Sequence, residues 1–200
     1  MERCLVNVSG FPATGKDATF NTLKSMSGFV THSIDDVYRQ MGMIQPYTLE
    51  QTQRAYAEFL EILEGSMVEQ KDILCQKNLN TRKTRKALYE VAKNYCYDIC
   101  VVRCICSDEE AIKRINSRTE SIADTKVLDP KVYFFVKKRY ECIKSDTEVR
   151  NNHIGLMEFD TQNNSIEIIT KGNNPQLTEN VFEHLIKELN NLGLKLPFKT

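Results

Sequence analysis

The feature that most constrains the fold is a glycine-containing segment near the start of the chain. A short apolar run at residues 4–8 ends at Ser9, and Gly10 is followed four residues later by Gly15 and Lys16. A glycine loop between a strand and a helix lets backbone N–H groups wrap around a phosphate, and the helix N-terminus attracts the anion. The segment therefore predicts a strand, a phosphate-binding loop (P-loop) and a helix, with Lys16 reaching the β- and γ-phosphates of a nucleoside triphosphate.

The residues expected to contact the nucleotide are those of this loop and of the first turn of the helix. They are Gly10, Ala13, Thr14, Gly15, Lys16, Asp17 and Ala18. The usual motif has Ser or Thr after the lysine, and its hydroxyl binds Mg²⁺. Here that residue is Asp17, whose carboxylate is also an oxygen ligand that Mg²⁺ accepts, directly or through a water. Asp17 is therefore the candidate metal residue of an ATP and Mg²⁺ site.

The rest of the chain alternates apolar segments with amphipathic ones. Strands are expected at residues 4–8, 28–36, 71–76 and 97–106, and helices at 16–26, 52–70, 82–95, 107–118 and 129–144. Helices between strands imply parallel crossovers. The expected fold is α/β: a doubly wound, mainly parallel sheet of about five strands flanked by helices, in a single domain over residues 1–200.

The last quarter of the chain has a different pattern. Residues 153–170 predict two strands around the turn Asn163-Asn164, which form either a hairpin or a last core strand with an extension. Residues 177–193 predict a closing helix that ends at Gly193. The role of residues 151–200 and the oligomeric state are left open.

Acidic residues follow the second predicted strand. Ligands of such sheets bind at the carboxyl ends of the strands, and Asp35 and Asp36 lie at the same edge as the glycine loop. A carboxylate that faces the γ-phosphate can accept the proton of an attacking hydroxyl. One of the two is therefore the candidate base, and the alternative is that it only caps a helix.

A longer series of motifs resembles the 5′-hydroxyl polynucleotide kinases and their wider P-loop kinase relatives. The motifs are SIDDVYRQ at 33–40, QKNLN at 76–80, EVAKNYCYD at 90–98, KRINSR at 113–118 and VLDPKVYFFVKKRYE at 127–141. They occur in the order found in that family, and the resemblance covers residues 4–145. It implies the P-loop kinase fold, ATP and Mg²⁺ as cofactors, and a hydroxyl acceptor.

The resemblance also implies roles for individual residues. Lys16 binds the β- and γ-phosphates, Asp35 or Asp36 is the base, with Asp35 preferred, and Arg39 contacts the acceptor's phosphate. The lid cation that stabilises the transferring phosphoryl group is Arg118, together with Arg114.

The alternative for both lid arginines is a solvated helix face that pairs with Glu109 or Glu110.

The chain departs from the family pattern in its acidic residues. The family's Asp-Thr-Asn begins here with Gln76 and Lys77, while the Ser or Thr of the glycine motif is Asp17. Some other P-loop kinases, including phage deoxynucleoside monophosphate kinases, have a similar Gly-Lys-Asp sequence. The comparison suggests that one carboxylate has changed places.

Composition limits the partners. Lys+Arg and Asp+Glu are 27 each, so no overall positive field recruits nucleic acid or an anionic membrane. No apolar run approaches the roughly 20 residues that span a bilayer, and seven cysteines without a signal segment favour a cytoplasmic protein. The cysteines at 96, 100, 104 and 106 are interpreted as core residues of a strand, because no Cys-x-x-Cys pair occurs.

Together these observations predict an ATP- and Mg²⁺-dependent kinase whose favoured acceptor is the 5′-hydroxyl of a nucleic acid or nucleotide. A kinase for a small metabolite, nucleoside or nucleoside monophosphate is the alternative within enzymes, and a non-catalytic nucleotide-binding regulator is the alternative outside them. The basic segments 81–86 and 137–139 are either a groove for a nucleic acid 5′ end or solvated helix faces.

Overall fold

The computed structural model describes residues 3–44, 47–118 and 129–193. Within these ranges six strands form one sheet in the order β2-β3-β1-β4-β5-β6. They are β1 (Arg3–Gly10), β2 (Phe29–Ser33), β3 (Asp72–Gln76), β4 (Tyr97–Ile105), β5 (Gly155–Asp160) and β6 (Ser165–Lys171). The first five are parallel, and β6 pairs antiparallel with β5. The α/β prediction is confirmed; β5 and β6 form an antiparallel hairpin, and β5 is also the last parallel strand of the sheet.

Helices cover both faces of this sheet. They are α1 (Lys16–Leu23), α2 (Ile34–Gln40), α3 (Leu49–Val68), α4 (Arg82–Asn94), α5 (Asp108–Asn116), α6 (Pro130–Lys138), α7 (Thr147–Arg150) and α8 (Pro175–Asn191), with a 3-10 turn at Ile143–Ser145. One apolar core contains Phe59 of α3 and Leu88 of α4, and the other contains Phe20 of α1 and Val181 of α8. Because β4 contributes to both cores, its sequence is apolar on both faces.

Several predicted boundaries were wrong, and two of them bear on the site. The second strand ends at Ser33, and residues 34–36 form the first turn of α2, since the Ser33 side chain caps this helix. Helix α6 ends at Lys138 rather than at residue 144, because the chain turns back and the Glu141 N–H donates to the Asn80 carbonyl at 2.9 Å. The polar stretch predicted at 119–127 lies outside the described residues.

The cysteine interpretation holds for two of the four residues. Cys100 and Cys104 are buried in β4, whereas Cys96 precedes the strand and is exposed, and Cys106 follows it and is half-buried. Cys96 has a φ of 57° in the turn that ends α4, and β4 begins at Tyr97 as predicted but ends one residue earlier, at Ile105.

None of the helices in the described part of the chain is long and apolar enough to cross a membrane.

A buried ion pair fixes α4 against the chain that leads into α7. The Arg85 guanidinium donates to both carboxylate oxygens of Asp146, at 2.5 and 2.9 Å, and to the Leu79 carbonyl at 3.0 Å. Both partners are almost fully buried. Since Leu79 lies in the loop after β3, this pair also holds the loop that follows the third strand at the edge of the sheet.

We expect Asp146→Asn to lower the free energy of unfolding by about 3–5 kcal/mol, because it leaves the buried Arg85 charge uncompensated. The matched control is Glu90→Ala, which removes the exposed pair of Lys86 and Glu90 and should change stability by about 0.5 kcal/mol or less. Urea denaturation followed by circular dichroism measures both. Equal effects of the two substitutions would contradict the structural role of the Arg85–Asp146 pair.

Candidate active site

The glycine motif forms a tight loop between β1 and α1. Gly10 has a φ of 150°, and a Cβ at this position would lie 2.5 Å from the Cys104 carbonyl of β4. Gly15 has a φ of 87°, and its Cβ would lie 2.9 Å from Thr161. Ala13 is also in the left-handed region, at a φ of 64°. Both glycines are therefore required by backbone conformation and by close approach, and the predicted strand, loop and helix are confirmed.

The Lys16 side chain lies over this loop. Its ammonium group donates to the Phe11 carbonyl at 3.2 Å, and Thr14 is buried with its hydroxyl on the same carbonyl at 2.9 Å. Lys16 thus lies on the side of the loop where phosphates bind in this motif.

The loop forms the floor of a cavity of about 1350 Å³. Its walls come from α2, α3, α5 and α6 and from the loop after β3. Of the predicted site residues, Ala13, Gly15, Lys16, Asp17, Ala18, Asp35, Arg114 and Arg118 line this cavity. Asp36 and Arg39 do not, and Gly10 and Thr14 support the loop from behind.

Asp17 and Gln76 are neighbours across the end of the sheet. The Gln76 side-chain amide donates to the Asp17 carboxylate, so the carboxylate of α1 lies beside the place where the family has its strand-end acid. A carboxylate and an amide oxygen are hard oxygen ligands that fit Mg²⁺, which keeps several waters and needs few protein ligands when phosphates are bound. Among the described residues no cluster of three or more metal-ligating side chains occurs.

The two acids of α2 point in different directions. The Ser33 hydroxyl accepts from the Asp35 N–H at 3.2 Å and fixes the start of α2, which places the Asp35 side chain in the cavity wall. Asp36 instead pairs with Arg39 at 2.7 Å, and the two side chains are 47% and 58% exposed. The geometry therefore selects Asp35 as the acid that faces the P-loop, while Arg39 lies outside the cavity lining.

Arg114 contacts the P-loop and the end of β5 together. Its guanidinium donates to Glu110 at 2.8 Å, to the Thr161 hydroxyl at 2.9 Å and to the Ala13 carbonyl at 3.3 Å. Thr161 in turn donates to the Thr14 carbonyl at 3.0 Å. The pair with Glu110 foreseen as an alternative exists, but it holds Arg114 against the P-loop rather than in solvent.

Arg118 lies at the far end of the same helix and lines the cavity. Burial lowers the pKa of Arg118, and the charge of Asp17 opposes this shift. Arg118 and Asp17 therefore line one cavity together with Lys16.

Sequence reasoning did not assign three of the residues that shape this site. Lys77 follows Gln76 and is only 8% exposed, although it lines the cavity. Its ammonium group lies 5.2 Å from the centre of the Tyr56 ring. Burial lowers the pKa of Lys77 to about 8, Lys16 adds to the shift and Asp35 opposes it. In the sequence, Lys77 could have been noticed because it replaces the Thr of the family motif. Thr161 and Tyr56 are identified only by the three-dimensional arrangement.

The comparisons with known proteins support the P-loop kinase fold. The AAA domain family model (AAA_33) matches residues 5–133, so the chain belongs to this P-loop family. No curated protein matches the chain. A gluconokinase from Sinorhizobium meliloti 1021 is 14% identical, with 95% of each chain covered and a TM-score of 0.58. Kti12 from Chaetomium thermophilum in complex with ADP-AlF3 is 18% identical, with 92% of this chain and 98% of that chain covered and a TM-score of 0.55.

A third similar structure is the Pnkp1/Rnl/Hen1 RNA repair complex, at 13% identity and a TM-score of 0.51. The match covers 70% of this chain and 47% of that one. At these identities the three structures establish a shared fold alone.

We expect Lys77→Met to stabilise the protein. The pKa of this lysine is lower in the folded chain than the unfolded value of 10.5, so the unfolded state binds more protons between about pH 8 and 10 and stability rises with pH in that range. At pH 7 the burial penalty is on the order of 3 kcal/mol, and the apolar side chain removes it. The free energy of unfolding should therefore rise by about 1–3 kcal/mol at pH 7 and its pH dependence between pH 8 and 10 should flatten.

Urea denaturation at pH 7 and pH 9.5 measures both effects, and the exposed Lys83→Met is the control, with an expected change within about 0.5 kcal/mol. A loss of stability in Lys77→Met would show that the lysine is a structural partner and not a strained site residue.

Proposed function

We propose that this protein is an ATP- and Mg²⁺-dependent kinase that transfers the γ-phosphoryl group to a hydroxyl, with the 5′-hydroxyl of a nucleotide or nucleic acid as the favoured acceptor. The observation that carries the proposal is that Asp35 and Lys16 line the same cavity, whose floor is the P-loop. A base and a phosphate site that share one cavity are the two requirements for in-line phosphoryl transfer.

The residues divide the reaction between them. Backbone N–H groups of the loop and the Lys16 ammonium bind the β- and γ-phosphates, while Arg118 stabilises the negative charge of the transferring group. Asp35 accepts the proton of the acceptor hydroxyl as its oxygen bonds to the γ-phosphorus, and the bond to the β-phosphate oxygen breaks to release ADP. When bound, Mg²⁺ neutralises phosphate charge, and Asp17 and Gln76 would hold it.

The composition of the cavity walls supports an acceptor with an aromatic base. Tyr38 and Tyr47 stack on one another with ring centres 4.0 Å apart, and both line the cavity. Across the cavity Phe135 lies against Arg139, whose guanidinium is 5.2 Å from the ring centre. Aromatic rings combined with cations are typical of sites for bases and their phosphates, since stacking contributes about 1–3 kcal/mol per base.

A specific observation favours a mononucleotide over a long nucleic acid. Most basic residues of the segments 81–86 and 137–139 already have partners: Arg82 and Arg85 pair with Asp146, Lys86 with Glu90, and Lys137 with Asp108. A cation that is paired within the protein releases fewer counterions on binding a backbone phosphate. The second candidate function is therefore a kinase for small nucleotides or other metabolites, in keeping with the fold shared with the gluconokinase.

The test is transfer of the γ-phosphate from labelled ATP with Mg²⁺ to a 5′-hydroxyl oligonucleotide and to 5′-hydroxyl mononucleotides, with 5′-phosphorylated forms as blocked acceptors. We expect Asp35→Asn to lower kcat by roughly 10²–10⁴-fold, since it removes the base, and Lys16→Ala to abolish transfer. Asp36→Asn is the matched control, because its side chain faces away from the cavity.

Equal activity of Asp35→Asn and the parent, or an equal loss in Asp36→Asn, would contradict the assignment of the base. Absence of transfer to every acceptor, with ATP still bound, would favour the non-catalytic regulator.

A further inference from the structure

A buried lysine on the wall of the cavity has no role in the reaction described above. Lys77 lies in the loop after β3, and its backbone N–H donates to the Val8 carbonyl at 3.2 Å, which fixes the residue against β1. A lysine that is almost fully buried destabilises a fold unless its charge is used. Its retention beside the P-loop therefore requires a functional explanation.

The surroundings of Lys77 hold it in place without neutralising it. The titratable groups that face it are Asp35 from α2, Lys16 from the P-loop and Tyr56 from α3. The Tyr56 hydroxyl donates to the Thr84 carbonyl at 2.5 Å, so the ring is locked with its face toward the ammonium group. Within the described ranges, the ammonium group forms neither a hydrogen bond nor an ion pair. Its three donors are therefore available to a ligand.

The cation implied by the family resemblance to contact the acceptor's phosphate occupies a different place. Arg39 is paired with Asp36 on the exposed side of α2 and does not line the cavity. Lys77, in contrast, lines the cavity together with Asp35, the candidate base. The Lys77 ammonium group can therefore contact the part of the acceptor next to the hydroxyl that reacts.

We propose that Lys77 is the specificity-determining residue for the acceptor: it binds a phosphate group of that molecule, so that the site selects a phosphorylated nucleoside over an unphosphorylated one. This inference rests on the proposed function, because it places the acceptor between Asp35 and the aromatic residues Tyr38, Tyr47 and Phe135 of the cavity wall. The ammonium group supplies the charge, and Tyr56 orients it. A neutral sugar or nucleoside would leave the buried charge without a partner, which is the physical origin of the selectivity.

The alternative role for Lys77 is stabilisation of the transferring phosphoryl group, together with Lys16. The two roles predict different behaviour. A residue that acts on the transferring group changes kcat with every acceptor, whereas a residue that binds the acceptor's phosphate changes the affinity for phosphorylated acceptors alone.

Equilibrium binding separates these roles and does not depend on turnover. With ADP saturating the P-loop, calorimetry compares the common ribonucleosides with their 3′-monophosphates and 5′-monophosphates in the parent, Lys77→Met, Lys77→Arg and Lys86→Met. Hydrogen bonds to a charged group predict that the parent binds one phosphorylated series about 10–100-fold more tightly than the nucleosides. Lys77→Met should remove this preference and leave nucleoside and ADP affinities unchanged. Lys77→Arg should restore it in part, and Lys86→Met, outside the cavity, should behave as the parent.

The 3′-monophosphates are the series expected to gain affinity, because the proposed acceptor has a free 5′-hydroxyl; a preference for the 5′-monophosphates would contradict that acceptor.

No preference for phosphorylated nucleosides in the parent, or an unchanged preference in Lys77→Met, would overturn the inference. The proposed function fails separately, if the preference is present in binding but no acceptor receives labelled phosphate. Equal loss of kcat with nucleosides and monophosphates in Lys77→Met would assign the lysine to the transferring group instead.

Discussion

The close approach of the P-loop backbone to the neighbouring strands is the constraint on which the rest of the site depends. Gly10 leaves no room for a side chain because the Cys104 carbonyl of β4 is adjacent, and Gly15 is limited in the same way by Thr161 after β5. The loop thus packs closely against the ends of β4 and β5. Arg114 reinforces this packing from α5 through the Ala13 carbonyl. Preorganised N–H groups stabilise phosphate charge without reorganisation during the reaction, and this packing keeps them in place.

The second determinant is the balance of charge around this loop. Asp17 brings a carboxylate to the N-terminus of α1, where it interacts favourably with the helix dipole but repels phosphates. The Gln76 side-chain amide donates a hydrogen bond to the Asp17 carboxylate, and the charge of Asp17 interacts favourably with that of Arg118. Lys16 and Lys77 line the same cavity as Asp17 and add two cations to its wall. The Asp17–Gln76 pair is thus consistent with a carboxylate that has moved from the end of β3 to the start of α1, where Mg²⁺ would connect it to the phosphates.

The sequence predicted those parts of the molecule that depend on local pattern. The alternation of apolar segments predicted the parallel core, and the spacing of Gly10, Gly15 and Lys16 predicted the loop, because only this backbone geometry requires those residues. The sequence left open whether β5 and β6 form a separate hairpin or extend the sheet, since pairing of β5 with β4 is a contact between distant segments. The orientation of Asp35 and Asp36 could not be predicted either, because it depends on where α2 begins.

Long-range contacts account for the residues that pattern reasoning missed. Thr161 reaches the P-loop because β5 lies beside β4, and no local motif encodes that placement. Lys77 was visible as a departure from Thr, but its burial against Tyr56 follows from the packing of α3. Arg39 shows the converse: its motif matched, while its side chain pairs with Asp36 away from the cavity.

The most direct test of the central claim, that Asp17 makes a working, metal-dependent nucleotide site, is the affinity for ATP with and without Mg²⁺. It is measured by calorimetry in the parent, in Asp17→Ser and in Asp17→Ser with Gln76→Asp. We expect the parent to bind ATP at least about 10-fold more tightly with Mg²⁺ than without it, since the metal screens Asp17 from the phosphates. Asp17→Ser should lose most of this dependence, and the double substitution should regain it by returning a carboxylate to the end of β3. Equal affinity in the parent with and without Mg²⁺ would contradict the account, as would a metal dependence left unchanged by Asp17→Ser.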